Sequence, residues 1–331
     1  MCCCRRKRAL IVGHVGFDYF IDENDLEYSP EVFDRLVTKE DFQNYVNNNE
    51  LVPFLGGTAG NVSAVMRKIG ALETDLFSCG DEEGLKTYNL KGSKPGSDIN
   101  IYMTPNDPQL CVPICLIISE NEQQKIKIYD PTLKIYNDIQ SFNLIKEGSE
   151  REYELLHVTT LPPNAARRII QETHEKSPKT TISFCPGQNL KMYEPETLFE
   201  ILKFVNILFV NDNEMEILSE WTVQYGEYFK EFPDILVHTR GSEPTTISTK
   251  EGVFRIPTIK PIKLIDTTGA GDAYAAAFLS SYMVYEDPIR AAKFAATVAS
   301  FIIEEVGCQT NIPDWHQRRE RCKTWKNPKF A

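Results

Sequence analysis

Strand and helix alternate through the second half of the chain, and that alternation leaves few folds open. Glu154-Leu155-Leu156-His157-Val158 reads as a strand, and a helical run from Ala165 to Lys176 follows it. Thr180 to Phe184, Val205 to Val210 and Ile235 to Thr239 read as three further strands. Strands separated by helix-length segments need crossover connections, so they lie parallel in one sheet with helices on its faces. Ala9-Leu10-Ile11-Val12-Gly13 is apolar throughout, as a strand buried on both faces should be. The expected class is α/β, a three-layer αβα arrangement with a mostly parallel central sheet. Leu110 to Ile118 and Gln124 to Tyr129 form a strand pair with a polar turn at Ser119–Glu122. Their partial alternation suits a half-exposed β appendage outside the main core.

The most specific chemistry lies late in the chain. Lys263-Leu264-Ile265 reads as a strand-like approach to Asp266-Thr267-Thr268-Gly269-Ala270-Gly271-Asp272, and Ala273-Tyr274-Ala275-Ala276-Ala277-Phe278-Leu279 reads as a helix. Two glycines around one alanine let consecutive backbone N–H groups converge on one point. The helix N-terminus adds partial positive charge there, which suits a phosphate. Phosphate would repel the carboxylate of Asp272 unless that group serves a purpose. Taking the proton from a hydroxyl that attacks the phosphate is such a purpose. A helix-capping aspartate is the structural alternative; the seven-residue string in its strand-to-helix setting favours the chemical one.

Elsewhere, residues 29 to 49 read as a polar helix with Val32, Phe33, Leu36 and Val37 at helical spacing. Phe54-Leu55-Gly56-Gly57-Thr58-Ala59-Gly60-Asn61 opens an amphipathic helix through Val62, Val65, Met66 and Ile69, ended by Gly70. Glu73 to Gly80 is a short strand and turn, and residues 85 to 98 read as helix remnant plus loop. Asp287-Pro288 starts a helix, with Asp as N-cap and Pro in the first turn, that stops at Gly307.

With 331 residues, 42% hydrophobic and 25% charged, the chain has ample material for a buried core. A formal charge of −11 makes it a poor default binder of nucleic acid. No apolar run approaches the ~20 residues of a membrane span, and no apolar stretch of a secretory signal follows the N-terminus. Nine cysteines without a Cys-x-x-Cys pair read as reduced thiols of a cytoplasmic protein. Cys2, Cys3 and Cys4 beside Arg5-Arg6-Lys7-Arg8 would suit palmitoylation at an anionic membrane, but a tag of no consequence is the favoured reading.

Together these motifs resemble the ribokinase-like, or PfkB, family of small-molecule kinases, from about Leu10 to Pro313. Asp266 to Asp272 matches that family's C-terminal signature. Gly56 to Asn61 is similar to its looser N-terminal signature. Asn211-Asp212-Asn213-Glu214 matches its Asn-x-x-Glu motif. The resemblance implies a ribokinase-like fold over 9–315, with a lid from about 19–25 and 110–129, an N-terminal tail at 1–8 and a C-terminal tail at 316–331. It implies ATP, Mg²⁺ and a nucleoside or sugar acceptor, in a monomer or homodimer. Asp272 would be the base, and the N–H groups around Gly269, Ala270 and Gly271 would hold the transferred phosphoryl charge. Asp18, Gly57 and Asn61 would face the acceptor. Asn211 and Glu214 would place Mg²⁺, largely through water. Thr239 and Gly241 would touch the nucleotide phosphates, and residues near Ala295 to Ala299 would line the adenine pocket. Asp266 and Thr268 stand where some relatives bind a monovalent cation such as K⁺.

Structural uses compete for several of these: Asp18 as a turn residue, Asn61 as an N-cap, Glu214 as a first-turn residue answering the helix dipole. His14 and His157 are expected as core or rim residues without a catalytic role. Many relatives carry Lys where Thr58 and Ala59 stand, and often Asp where Cys185 stands. A glycine is frequent near the position of Pro244. Pro186-Gly187-Gln188 is similar to some nucleoside kinases. The long segment from Asp18 to Gly56 and the ending Gly307-Cys308-Gln309-Thr310 resemble the adenosine-kinase branch. A nucleoside acceptor is therefore expected ahead of a free sugar such as fructose or ribose. A non-catalytic nucleoside-binding sensor is the alternative of another class, and an intact Asp272 argues against it.

Overall fold

The computed structural model describes residues 6–22, 30–92, 99–103, 110–120, 123–139, 144, 152–225 and 233–323. Its strands are β1 (Arg8–Val12), β2 (Gly16–Asp22), β3 (Phe54–Gly56), β4 (Glu73–Gly80), β5 (Ile99–Met103), β6 (Ile114–Glu120), β7 (Gln123–Tyr129), β8 (Leu155–Thr159), β9 (Thr181–Cys185), β10 (Ile207–Val210), β11 (Ile235–Arg240), β12 (Glu243–Thr249) and β13 (Gly252–Ile256). Nine of them form one sheet in the order β13-β12-β11-β10-β9-β8-β1-β4-β5. All its pairings are parallel except β11–β12 and β12–β13. A second sheet has the order β3-β2-β6-β7.

The helices are α1 (Pro30–Arg35), α2 (Lys39–Asn48), α3 (Thr58–Ile69), α4 (Glu82–Gly92), α5 (Thr132–Asp138), α6 (Pro163–Lys176), α7 (Pro195–Leu202), α8 (Asp212–Tyr225), α9 (Ala270–Tyr285), α10 (Pro288–Ile302) and α11 (Trp315–Cys322). Successive strand side chains point to opposite faces, and the two cores divide accordingly. Ala9, Ile11, Leu155, Ile207, Phe209, Ile235 and Val237 pack under α3, α9 and α10. Leu10, Val12, Leu156, Val158, Leu208, Val210 and Leu236 pack under α5 to α8. That division is the three-layer arrangement. In α9 the run from Ala273 to Ser281 is buried without interruption, and its four alanines let α3 and α10 approach closely.

The small sheet alternates too. Ile114, Leu116 and Ile118 of β6 turn outward onto Phe33, Leu36, Phe42 and Val46. Cys115 and Ile117 turn inward to the cleft described below.

Several expectations change. The helix expected over 29–49 is two helices, because Thr38 caps α2 reciprocally with Asp41; residue 29 lies outside the described residues. The strand expected from Leu110 begins only at Ile114, because Pro113 lacks a donor and lends its carbonyl to Phe17. It runs through Ser119 to Glu120, and residues 121–122 lie outside the described residues. Lys263-Leu264-Ile265 is not a strand: Leu264 and Ile265 are exposed, and the N–H groups of Ile265 and Asp266 both donate to Ile303 O at the end of α10. The segment expected as a C-terminal tail starts with α11. There Arg321 pairs with the buried Glu304, whose Oε1 also accepts from Ile262 N at 2.6 Å. Cys2 to Cys4, residues 23–25 of the expected lid, residues 93–98 and residues 324–331 lie outside the described residues. No helix among the described residues is long and apolar enough to cross a membrane.

Candidate active site

A cleft of about 400 Å³ opens where the C-terminal ends of β1, β8, β9 and β10 meet the small sheet. Ligands of open α/β sheets gather at that end. It brings together Asp18, Gly57, Asn61, Asn211, Glu214, Thr239, Thr268, Gly269, Gly271 and Asp272. Ala270, Asp266, Gly241, Ala295 and Ala299 are not among its lining residues.

Gly269 precedes α9 with φ at 73°, a left-handed conformation. A Cβ there would lie 2.4 Å from Cys308 Cβ, so both the torsion and the space demand glycine. A Cβ on Gly271 would meet nothing within 4 Å, because this residue faces the open cleft. Ala270 differs from its neighbours: its N–H already donates to Thr267 O at 3.2 Å. Of the three N–H groups expected around an anion, that of Ala270 is thus already engaged within the chain.

Asp272 follows in the first turn of α9. Its Oδ2 accepts from Asn61 Nδ2 at 2.8 Å. Asn61 is buried in the first turn of α3, so it is not the N-cap, a place held by Gly57 with φ at 78°. Burial pushes the Asp272 carboxyl up to about 7; Asn61 pulls it down and Glu214 raises it further. Asp18 is likewise pushed up to about 7, by burial first and then by Asp272 and Asp266. It sits within β2 and is not a turn residue. The register places it beside Cys115 of β6, and Cys115 beside Ile128 of β7. A Cβ on Gly56 would fall 2.1 Å from Asp18 Oδ2, which explains the first glycine of the pair.

At the start of α8, Glu214 Oε2 accepts from Asn211 N and Oε1 from Asn211 Nδ2, while Glu214 N donates to Asn211 Oδ1. Glu214 is buried, and burial raises its carboxyl above the usual range. Each oxygen keeps a lone pair for a metal-bound water, so the pair fits water-mediated Mg²⁺. Asp266 is buried with Oδ1 accepting from Thr268 N and Oδ2 from Gly307 N, so it ties two loops together. Thr239 lines the cleft beside Val210, whose carbonyl accepts its hydroxyl at 3.3 Å. Gly241 makes the left-handed turn between β11 and β12. Ala295 is 0% exposed within the core and has no surface to offer adenine, whereas Ala299 is half-buried.

Other lining residues carry no motif. Pro113, Ile117, Ile126 and Ile128 give the small sheet an apolar inner face. Thr160 is β-branched yet sits at φ 48°, a strained state of the kind found at functional sites. It is held there by Cys185 O, which accepts from its N–H, and by Asn189 Nδ2, which donates to its carbonyl; its hydroxyl bonds Thr58. His14 lines the rim with Nε2 3.3 Å from Asp130 Oδ2, and His157 is core, kept neutral by burial that lowers it to about 3. Gln309 Nε2 donates to Asn61 Oδ1, 248 residues away in sequence. Spacing along a chain carries no signal of such contacts; only the Gly-Cys-Gln-Thr ending drew attention to Gln309.

The described lining residues include four carboxylates and no Lys or Arg. A polyphosphate enters such a cleft only with a metal cation and main-chain donors to balance it. The pfkB family carbohydrate kinase profile matches residues 31–315. A nucleoside kinase of Methanocaldococcus jannaschii is 29% identical over 322 residues, covering 96% of this chain and 97% of that one. A crystal structure of the M. jannaschii nucleoside kinase superposes with a TM-score of 0.75, covering 96% and 99%. A nucleoside kinase of Methanothermobacter thermautotrophicus is 31% identical over 309 residues, 92% of each chain. The Burkholderia thailandensis nucleoside kinase in complex with inosine shares the fold, at a TM-score of 0.73 and 19% identity over 96% of each chain. A profile match over residues 31–315 and relatives aligned along nearly the whole chain have one reading: the protein belongs to the pfkB carbohydrate kinase family and is a nucleotide-using phosphotransferase with an alcohol acceptor, a nucleoside or sugar kinase.

Proposed function

We propose that the chain transfers the γ-phosphoryl group of ATP to the primary hydroxyl of a nucleoside. The observation that carries this reading is the inner face of the small sheet. One register puts Asp18, the proposed diol-binding carboxylate, in line with Cys115 and Ile128, with Ile117 and Ile126 two pairs further along on the same face. A free sugar would leave that apolar surface wet. A nucleoside places its ribose on Asp18 and Asn61 and its flat base on the isoleucines. The absence of Lys and Arg among the described lining residues disfavours an anionic acceptor such as a sugar phosphate.

In the step itself, the Asp272 carboxylate takes the proton of the acceptor hydroxyl. The oxygen bonds to the γ-phosphorus, the bond to the β-γ bridging oxygen breaks, and ADP leaves. Donors at Gly269 and Gly271 and the α9 N-terminus face the charge on the moving group. Asn211 and Glu214 would hold Mg²⁺ through water, and Thr239 would stand by the phosphates. Mg²⁺, when bound, neutralises phosphate charge. K⁺ at Asp266 and Thr268 would act on the anion site through the loop they share. β2, β6 and β7 would serve as the lid that excludes water during transfer.

The test is ADP release from purified protein with ATP, Mg²⁺ and a panel of nucleosides, free sugars and sugar phosphates. Nucleosides are expected to give the highest kcat/KM. A higher value for free ribose or fructose than for every nucleoside would overturn the acceptor assignment.

A further inference from the structure

We infer that Gln309 is a positioning residue that fixes the sense of the Asn61 amide and thereby holds Asp272 ready as a base. This rests on the reading of Asp272 given above. An amide can turn over at small steric cost, and its partners decide which atom faces where. Tyr88 settles the first link: its O–H donates to Gly56 O at 3.2 Å, so its oxygen is left to accept. Gln309 therefore presents Nε2, which donates to Tyr88 Oη at 2.9 Å and to Asn61 Oδ1 at 3.1 Å. Asn61 must then turn Nδ2 toward Asp272, where it donates to Oδ2 at 2.8 Å. Every hydrogen in the chain has one direction, and the last one favours an ionised carboxylate. Oδ1 is left for the acceptor hydroxyl.

The space around the network supports it independently. A Cβ on Gly60 would lie 2.0 Å from Tyr88 Oη, so that glycine makes room for the phenol. Tyr88 is buried and its hydroxyl is pushed above the usual range, so it stays a neutral donor. The groups that face Asp272 are Asp18 on β2, Glu214 on α8, Cys185 at the end of β9 and Cys308 before Gln309. Burial keeps both thiols protonated, and the two carboxylates oppose ionisation of Asp272. Asn61 is the group in hydrogen-bond contact that favours it. Without Gln309, Asn61 is free to turn Oδ1 toward Asp272, which suits only the protonated acid.

Gln309→Leu is close in volume and removes the donor. With nucleoside, ATP and Mg²⁺, the variant should lose about fivefold in kcat at pH 7, with the acid limb of kcat moved up by about one pH unit. KM for the acceptor should change less than about twofold. A loop tie without this role would lower the Tm and leave the limb in place. Tyr88→Phe, which frees Gln309 to turn, should move the limb the same way by less, and it stands in if Gln309→Leu does not fold. An unmoved limb and normal kcat in the folded variant would overturn the inference while Asp272→Asn is inactive. An active Asp272→Asn would instead sink the base assignment beneath it.

Discussion

Two ends of the proposed site differ: in one, Gly269 and Gly271 at the start of α9 would offer main chain to an anion; in the other, Asp18, Ile117, Ile126 and Ile128 of the small sheet would offer side chains to an acceptor. The first end is anchored to α9, whose run from Ala273 to Ser281 is buried without interruption. The second belongs to a four-stranded sheet whose outer face rests on the two short helices α1 and α2. The difference teaches where each kind of demand is met. A phosphoryl group is the same in every substrate, and rigid backbone serves it. An acceptor varies, and exchangeable side chains on a separate sheet can follow it without disturbing the anion site.

Breaking the first end should have the largest effect. Asp272→Asn should lower kcat by about 10³-fold while titration calorimetry still detects nucleotide binding. Gly269→Ala forces a side chain into φ 73° and against Cys308; kcat should fall about 10²-fold and denaturant unfolding should show a loss of roughly 2 kcal/mol. Changing the second end should be milder and selective. Ile126→Ala with Ile128→Ala should raise KM for a nucleoside by about tenfold and leave KM for free ribose unchanged. An equal rise for both would mean that the apolar face does not meet a base.

The two ends also differ from ordinary carboxylates in how they answer pH. As the proposed base, Asp272 would act ionised, so kcat should rise as pH increases through about 7. Stability should move the other way. Asp18 and Asp272 are raised from 3.8 to about 7, so the folded state holds its protons more tightly than the unfolded one. Their contribution is present at pH 4 and is lost as pH climbs to 7. Asp18→Asn, which cannot ionise, should therefore gain Tm relative to the parent at pH 8 and little at pH 5. That gain is the smallest effect expected here, and differential scanning calorimetry at the two pH values measures it.

Legibility followed the range of the physics involved. Strands β1 and β8 to β11 could be read because two-sided burial makes continuous apolar runs. The glycine turn that opens α9 could be read because its turn, helix start and carboxylate are contiguous. Lys263-Leu264-Ile265 misled because a short apolar run looks the same whether a partner strand exists or not. β3, at three residues, is too short to show a pattern. Ala295 followed a helix assignment that says nothing about which face meets a ligand. Gln309 and Tyr88 meet across more than two hundred residues of chain, where only the folded arrangement makes them neighbours.

The pairing of Arg321 with Glu304 has a practical consequence. α11 contributes no residue to the described lining of the cleft, and a truncation at residue 315 would keep every candidate site residue. It would also leave Glu304 a buried anion without its cation, at a cost on the order of 3 kcal/mol. Ile262 N, bound to that same carboxylate, would lose its fixed anchor four residues before Asp266 begins the signature. The last helix is a foundation for the approach to Asp266, and shortening the chain to the limits of its candidate site residues would loosen that segment.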